Sequence, residues 1–153
     1  MDYKELLKED SEIILDSFMN KDAFILGKYI SEIAISKNYA VAIRIIKNNN
    51  IVFEYLNDNA SFNNFYWIEK KINVVKRFDK SSALIAYKLK SENLTFDEKY
   101  GDAREYAVTP GAVPIRVKSV GTVGIISVSG LSSEEDHGLI IKGLKYLLSR
   151  GDE

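Results

Sequence analysis

No cysteine occurs in the chain, and only one histidine and two prolines are present. The first absence excludes intrachain disulfides, zinc thiolate sites and iron–sulfur clusters. A single histidine, His137, excludes a polyhistidine metal site within one chain. A carboxylate-only Mg²⁺ or Ca²⁺ site stays open, although no EF-hand spacing occurs. Charge of one sign is lacking too: 21 Lys and Arg against 22 Asp and Glu leave a formal net charge of -1. That balance gives no general pull toward nucleic acid or an anionic membrane, and neither is expected as a partner. No apolar run approaches the roughly 18 residues that cross a bilayer. The N-terminal stretch MDYKELLKEDSEIILDSF is acidic and amphipathic, without the basic start and apolar core of a signal peptide. A cytosolic location is the simplest expectation.

What is there reads as a soluble globular domain, with 46% hydrophobic and 28% charged residues. The length suits one domain spanning residues 1–153. Leu6, Leu7, Ile13, Ile14 and Phe18 recur at mixed three- and four-residue spacing. They predict a peripheral first helix within residues 1–20, with a break near Asp10 and Ser11. Leu26, Tyr29, Ile30, Ile33 and Ala34 form one stripe and predict a second helix over Lys21–Lys37, with Asn20 as its N-cap. Two short β-branched runs follow, Tyr39–Lys47 and Ile51–Leu56. Three asparagines between them signal a hairpin turn, because asparagine tolerates positive φ. Helical spacing returns over Asn63–Phe78 and Ser81–Ser91, the latter capped by its serines. Glu92–Glu105 reads as a polar loop. Strands are expected at Glu105–Val108, Val113–Lys118 and Thr122–Gly130, then a closing helix over Ser132–Leu148. The order is α-α-β-β-α-α-β-β-β-α. Hairpins dominate it, so the fold class is α/β (α+β), with a central antiparallel sheet of about five strands flanked by helices.

Three stretches are candidates for chemistry. Ser132 and Glu135 make a capping box, and Glu134, Glu135 and Asp136 suit the positive end of the closing helix. His137, where that helix meets the end of a strand, has no such local explanation. TPGAVPIRV gathers Pro110, Gly111 and Pro114, a constrained turn able either to fix register or to approach a ligand with its backbone. Arg116 alternates on the strand beyond, either to hold an anion or to lie on an exposed face. NNFYWIEKK places Trp67, Lys70 and Lys71 within two helical turns, with Asn64 just upstream. Such a pattern can bind a planar anion, or form a core tryptophan with snorkelling lysines. Gly121, Gly124 and Gly130 do not have dinucleotide or P-loop spacing, and Ser129 is not in a G-x-S-x-G elbow.

DAFILGKYI (Asp22–Ile30), FYWIEKK (Phe65–Lys71), RFDKSS (Arg77–Ser82), GAVPIRV (Gly111–Val117) and GTVGIISVSGLSSEEDHGLI (Gly121–Ile140) occur in this order. Together they resemble the haem-degrading-domain family, also described as GlcG/HbpS-like. The likeness is to its uncharacterised cytosolic branch, marked by W-I-x-[RK]-K and V-S-G-L-x4-D-H. The resemblance implies a compact domain with an antiparallel sheet, and self-assembly into dimers or larger rings. It implies a pocket for a small molecule or a protein partner, lined by Trp67, Lys71, Ser81, Ser82, Gly111, Pro114, Ser129, Asp136 and His137. Asp136 would accept hydrogen bonds there, His137 would titrate and Lys71 would hold an anion. Some members are linked with haem, so haem binding or degradation is an alternative, with His137 or a tyrosine as iron ligand. In haem-binding relatives, however, the axial histidine lies near the N-terminus, and this chain has none before His137. Pro110-Gly111 also replaces a usual double glycine. A further alternative is a lyase or isomerase with His137 as acid/base.

Overall fold

Two antiparallel hairpins supply the frame of the molecule, and the computed structural model describes residues 2–151 of it. Helix α1 is Tyr3–Glu12 and α2 is Asn20–Lys37. Strands β1 (Ala42–Lys47) and β2 (Asn50–Leu56) form the first hairpin. Helices α3 (Phe62–Phe78), α4 (Ser82–Ser91) and α5 (Phe96–Tyr100) follow, then β3 (Ala112–Val117), β4 (Gly121–Ser129) and α6 (Ser133–Arg150). Asn48 and Asn49 take φ of 49° and 68° and close the first hairpin, as the asparagine run predicts. The sheet order is β2-β1-β4-β3, with every named pair antiparallel.

The central strands are covered on both faces, which explains their near-continuous apolar sequences. Ile43 and Ile45 of β1 join Ile126 and Val128 of β4 under α2 and α6, where Leu26, Ile30, Ile140 and Leu144 complete the larger core. Residues one step out of phase, Ala42, Ile46 and Ile125, meet Ile68, Ile72 and Val75 of α3 on the other face. A sheet with both faces buried hides strand alternation, because inward means either side.

Four details depart from the sequence reading. The sheet has four strands, not five: Glu105–Val108 is not a strand. Its backbone is tied to α3 instead, Ala107 N donating to the Lys70 carbonyl at 3.2 Å and Asn73 Nδ2 to the Glu105 carbonyl at 2.9 Å. Tyr106 stacks on Phe96, so its apolar residues serve a satellite core rather than a ladder. Within the expected loop, Thr95 and Glu98 form a capping box that starts α5. Asn20 is the first residue of α2 rather than its cap; Met19 takes the cap position, and its amide donates to Asp22 Oδ2 at 2.7 Å. The first helix ends at Glu12, before Ile13 and Ile14. The extended chain beyond it pairs with the sheet edge at Leu15, whose N donates to the Arg116 carbonyl at 2.9 Å and whose carbonyl accepts from Lys118 N at 2.8 Å.

The Pro110-Gly111-Ala112 turn leads into edge strand β3, a position that accommodates Pro114 and its missing N–H. The Gly111 carbonyl accepts from Val128 N at 3.0 Å and from Ser127 Oγ at 2.7 Å. Ala112 N donates to Ser82 Oγ at 3.0 Å. Gly111 itself has φ of 129°, where a side chain is strained, and a Cβ there would collide with Lys71 Nζ and lie 2.9 Å from the Val128 carbonyl oxygen.

Gly111→Ala is therefore expected to lose about 1–3 kcal/mol through backbone strain and a further ~1–3 kcal/mol through overpacking. Gly121, with φ of 102° and no atom within 4 Å of a built Cβ, supplies the control: Gly121→Ala should lose only the backbone part. Urea midpoints of the two variants check this, and equal losses would contradict the packing argument.

Candidate functional site

The start of α6 decides the geometry of the region around His137. Ser132 caps the helix, its Oγ accepting from Glu135 N at 3.3 Å and donating to Glu135 Oε1 at 2.7 Å. The Glu135 side chain thus answers the serine hydroxyl. Asp136 does more than complement the helix dipole. It is buried, its Oδ1 accepting from Leu131 N at 2.9 Å and its Oδ2 lying 3.2 Å from Lys71 Nζ. Lys71 is equally buried rather than snorkelling, and its second bond is to the Val128 carbonyl at 3.1 Å.

Burial pushes the Lys71 ammonium below its ordinary value of 10.5, with Asp136 opposing the shift. Burial likewise pushes Asp136 up from the ordinary carboxylate value, opposed by Lys71 and by the amides of Leu131 and Gly130. In both groups the loss of water outweighs the partner. Such a pair contributes register more than net stability, and each half depends on the other.

Beside this knot, on the α1 side, lies a cleft with a free volume of about 10 Å³, room for roughly one water. Ser81, Pro114, Arg116 and His137 reach it from the scaffold, and Glu9 and Asp10 close it from α1. His137 is 2% exposed. Its Nε2 is 2.9 Å from Glu9 Oε1, and its buried Nδ1 has no partner. Arg116 donates through Nη1 to Asp10 Oδ1 at 2.7 Å and through Nη2 to the Asp79 carbonyl at 2.6 Å. Lys80 Nζ lies 3.6 Å from Asp10 Oδ2. Arg116 is thus neither idle nor on an open face; its side chain is 15% exposed.

The nine residues named from the sequence fall into separate places. Ser81, Pro114 and His137 meet at the cleft, where Ser81 also caps α4 by accepting from Leu84 N at 3.1 Å. Lys71, Gly111 and Asp136 form the adjacent knot. Ser82 braces Ala112, and the Ser129 carbonyl accepts from Asn64 Nδ2 at 3.1 Å. Trp67 belongs to neither group: it is 43% exposed on α3, with Lys70 Nζ 5.5 Å from its ring centroid. Lys71 points inward from the same helix, so the tryptophan and that lysine do not share a ligand face. Glu9 and Asp10 escaped the sequence reading. A signal existed: acids fill the last turn of α1, where the helix dipole disfavours them, and no basic residue compensates there. No group of three or more His, Asp or Glu side chains suited to a metal occurs among the described residues.

Asp136→Asn strands the Lys71 charge in the interior, and a loss of about 3–5 kcal/mol is expected. The loss carries a pH signature. In the variant, Lys71 holds its proton less tightly folded than unfolded. Between the depressed folded value and the ordinary 10.5, the unfolded chain binds the extra proton, so stability rises with pH. Urea unfolding of the variant at about pH 7 and about pH 9.5 should show recovery at the higher pH, and no recovery would contradict it. Lys71→Met with Asp136→Leu, an apolar replacement of both partners, should restore most of the stability.

The comparisons bear on the whole frame. The description "Haem degrading protein HbpS-like" belongs to the family model that matches residues 18–145. A UPF0303 protein of Zymomonas mobilis is 35% identical over 144 residues, 94% of this chain and 77% of that protein. The crystal structure of Ybr137w superposes with a TM-score of 0.90 at 30% identity, covering 100% of this chain and 91% of the other. A PduOC:heme complex shares the fold, with a TM-score of 0.67 at 14% identity over 86% of this chain and 94% of the other. The match extends from Phe18 through most of α6, taking in both hairpins and the His137 turn, and the chain belongs to the HbpS-like haem degrading protein family.

Proposed function

We propose that this protein is a homo-oligomeric ligand-binding module that takes a small molecule at the His137 cleft. The observation that carries the reading is the state of His137. It is buried at the cleft wall, one ring nitrogen has no partner, and the other is held by the Glu9 carboxylate of α1. Buried polar atoms are ordinarily satisfied, so an orphan beside a cleft supports an absent partner. A cytosolic setting is part of this reading. No helix among the described residues is long and apolar enough to cross a membrane. Self-association is supported by Phe24, Ile35 and Ile51, each more than half exposed near the β2 edge of the sheet.

A second reading, haem binding, draws on the fold likeness to a protein solved with heme. Against it stands the engagement of His137 Nε2 by Glu9.

Thermal denaturation across a panel of small organic molecules tests the proposal. A cleft ligand raises the melting temperature, and at a hundredfold excess over its dissociation constant linkage contributes about 2.7 kcal/mol. His137→Gln should abolish that gain. A panel in which nothing stabilises the wild type more than the variant would sink the reading. Haemin belongs in the panel: a sharp Soret shift lost in His137→Ala would favour the second reading, and an unshifted spectrum would end it. Sedimentation at micromolar concentration should give a dimer or larger species, never a strict monomer.

A further inference from the structure

The pairing of α1 with the cleft is uneven in a way that identifies a ligand class. Every group that binds the Glu9 and Asp10 carboxylates comes from elsewhere in the chain. His137 stands on α6, Arg116 on β3, and Lys80 in the turn before α4. The receiving groups do not need α1 to stay in position. Arg116 is independently held by the Asp79 carbonyl, and His137 follows the buried Asp136. Between the donors, Val113, Pro114 and Ile141 supply an apolar floor.

The covering helix is started by a capping box of Asp2 and Glu5, and it buries little apolar surface. Leu6 is its one fully buried side chain, resting near Ala83 and Leu84, while Tyr3 and Leu7 are 40% and 42% exposed. Acids in its last turn oppose its own dipole, so the helix gains from them only when the cleft receives them. The chain immediately after it is pinned at Leu15 to the sheet edge. Residues 13–14 join α1 to that pinned point, and Ile13 packs against the larger core there.

Resting on the pocket reading above, we propose that the cleft is a binding site for a short aliphatic dicarboxylate, and that Glu9 and Asp10 fill its two carboxylate positions when α1 is closed. One ligand carboxylate pairs with Arg116 and Lys80, the other with His137, and the methylene bridge lies on Val113, Pro114 and Ile141. The ligand and α1 then compete for the same donors. The site works as a displaceable internal carboxylate pair, and a dicarboxylate opens the cover as it binds.

The full chain with Glu9→Gln and Asp10→Asn tests this, titrated with succinate, glutarate and adipate. His137 is the sole histidine, so its imidazole ¹⁵N signals report this site without ambiguity. At least one of the three diacids should bind the double variant about tenfold or more tighter than the wild type, moving those signals. Adding Arg116→Gln, or separately Lys80→Gln, should weaken that binding, with circular dichroism confirming the fold. Hexanoate or sulfate binding as tightly as the best diacid would overturn the dicarboxylate assignment. So would a double variant with no gain over the wild type. If neutral hexanol moves the His137 signals while no diacid does, the charge inference fails and the pocket reading survives. If no probe of any kind moves them, both fail.

Discussion

A lysine ammonium and an aspartate carboxylate face each other 3.2 Å apart inside the molecule, and the rest of the site is arranged around them. Lys71 comes from α3, on one face of the sheet; Asp136 comes from α6, which packs on the other. Their meeting point is the end of β4, where the Val128 carbonyl accepts from the lysine and the Leu131 amide donates to the aspartate. Both layers are therefore fastened to one strand end. The desolvation of the two charges leaves little net stabilisation. Geometry is what the pair contributes: the first turn of α6 can start in one place only, and His137 is the next residue.

Gly111 makes that pair possible. The space a side chain would need at this position is taken by Lys71 Nζ, and the backbone has positive φ. Pro110 ahead of it and Pro114 behind it limit the turn, while Ser82 and Ser127 hold its polar groups. The proline-glycine turn is thus both a register device and one wall of the knot. The sequence offers register or close approach to a ligand as alternatives, and the close approach here is to a lysine of the same chain. In three dimensions they are the same contact, since the turn lies against the lysine that locks α3 to α6.

Much of the frame was legible because its signals are local. Asn48 and Asn49 announce the first hairpin through positive φ, and Ser132 announces α6 through its cap. The failures share a cause. Tyr106 and Val108 alternate like strand residues but are drawn into the Phe96 cluster, and no window of sequence shows which partner wins. By residue type, Lys71 and Trp67 read either as one ligand face or as an inward tryptophan beside an outward lysine. Tertiary packing overturns both readings, since a carboxylate 65 positions away waits for the lysine. Of the candidate site, His137, Ser81 and Pro114 were recoverable from turn and motif positions. For Glu9 the uncompensated acids of its helix end hint at a partner without naming it, because that partner is 128 residues distant.

The unfavourable placement of acids in α1 is the more general point. A helix whose last turn carries Glu9, Asp10 and Glu12 without a compensating cation is poor as an isolated helix. Its acids become favourable only through cations on other elements, so the stability of α1 depends on the occupancy of the cleft. That dependence runs both ways. Whatever takes the donors removes the ionic part of the contact between α1 and the cleft, and whatever weakens α1 frees the donors. Capping by Asp2 and Glu5 starts α1, and burial of Leu6 seats it. At its far end the contact with the cleft is made by two carboxylates, which is the part of the cover that another carboxylate can replace.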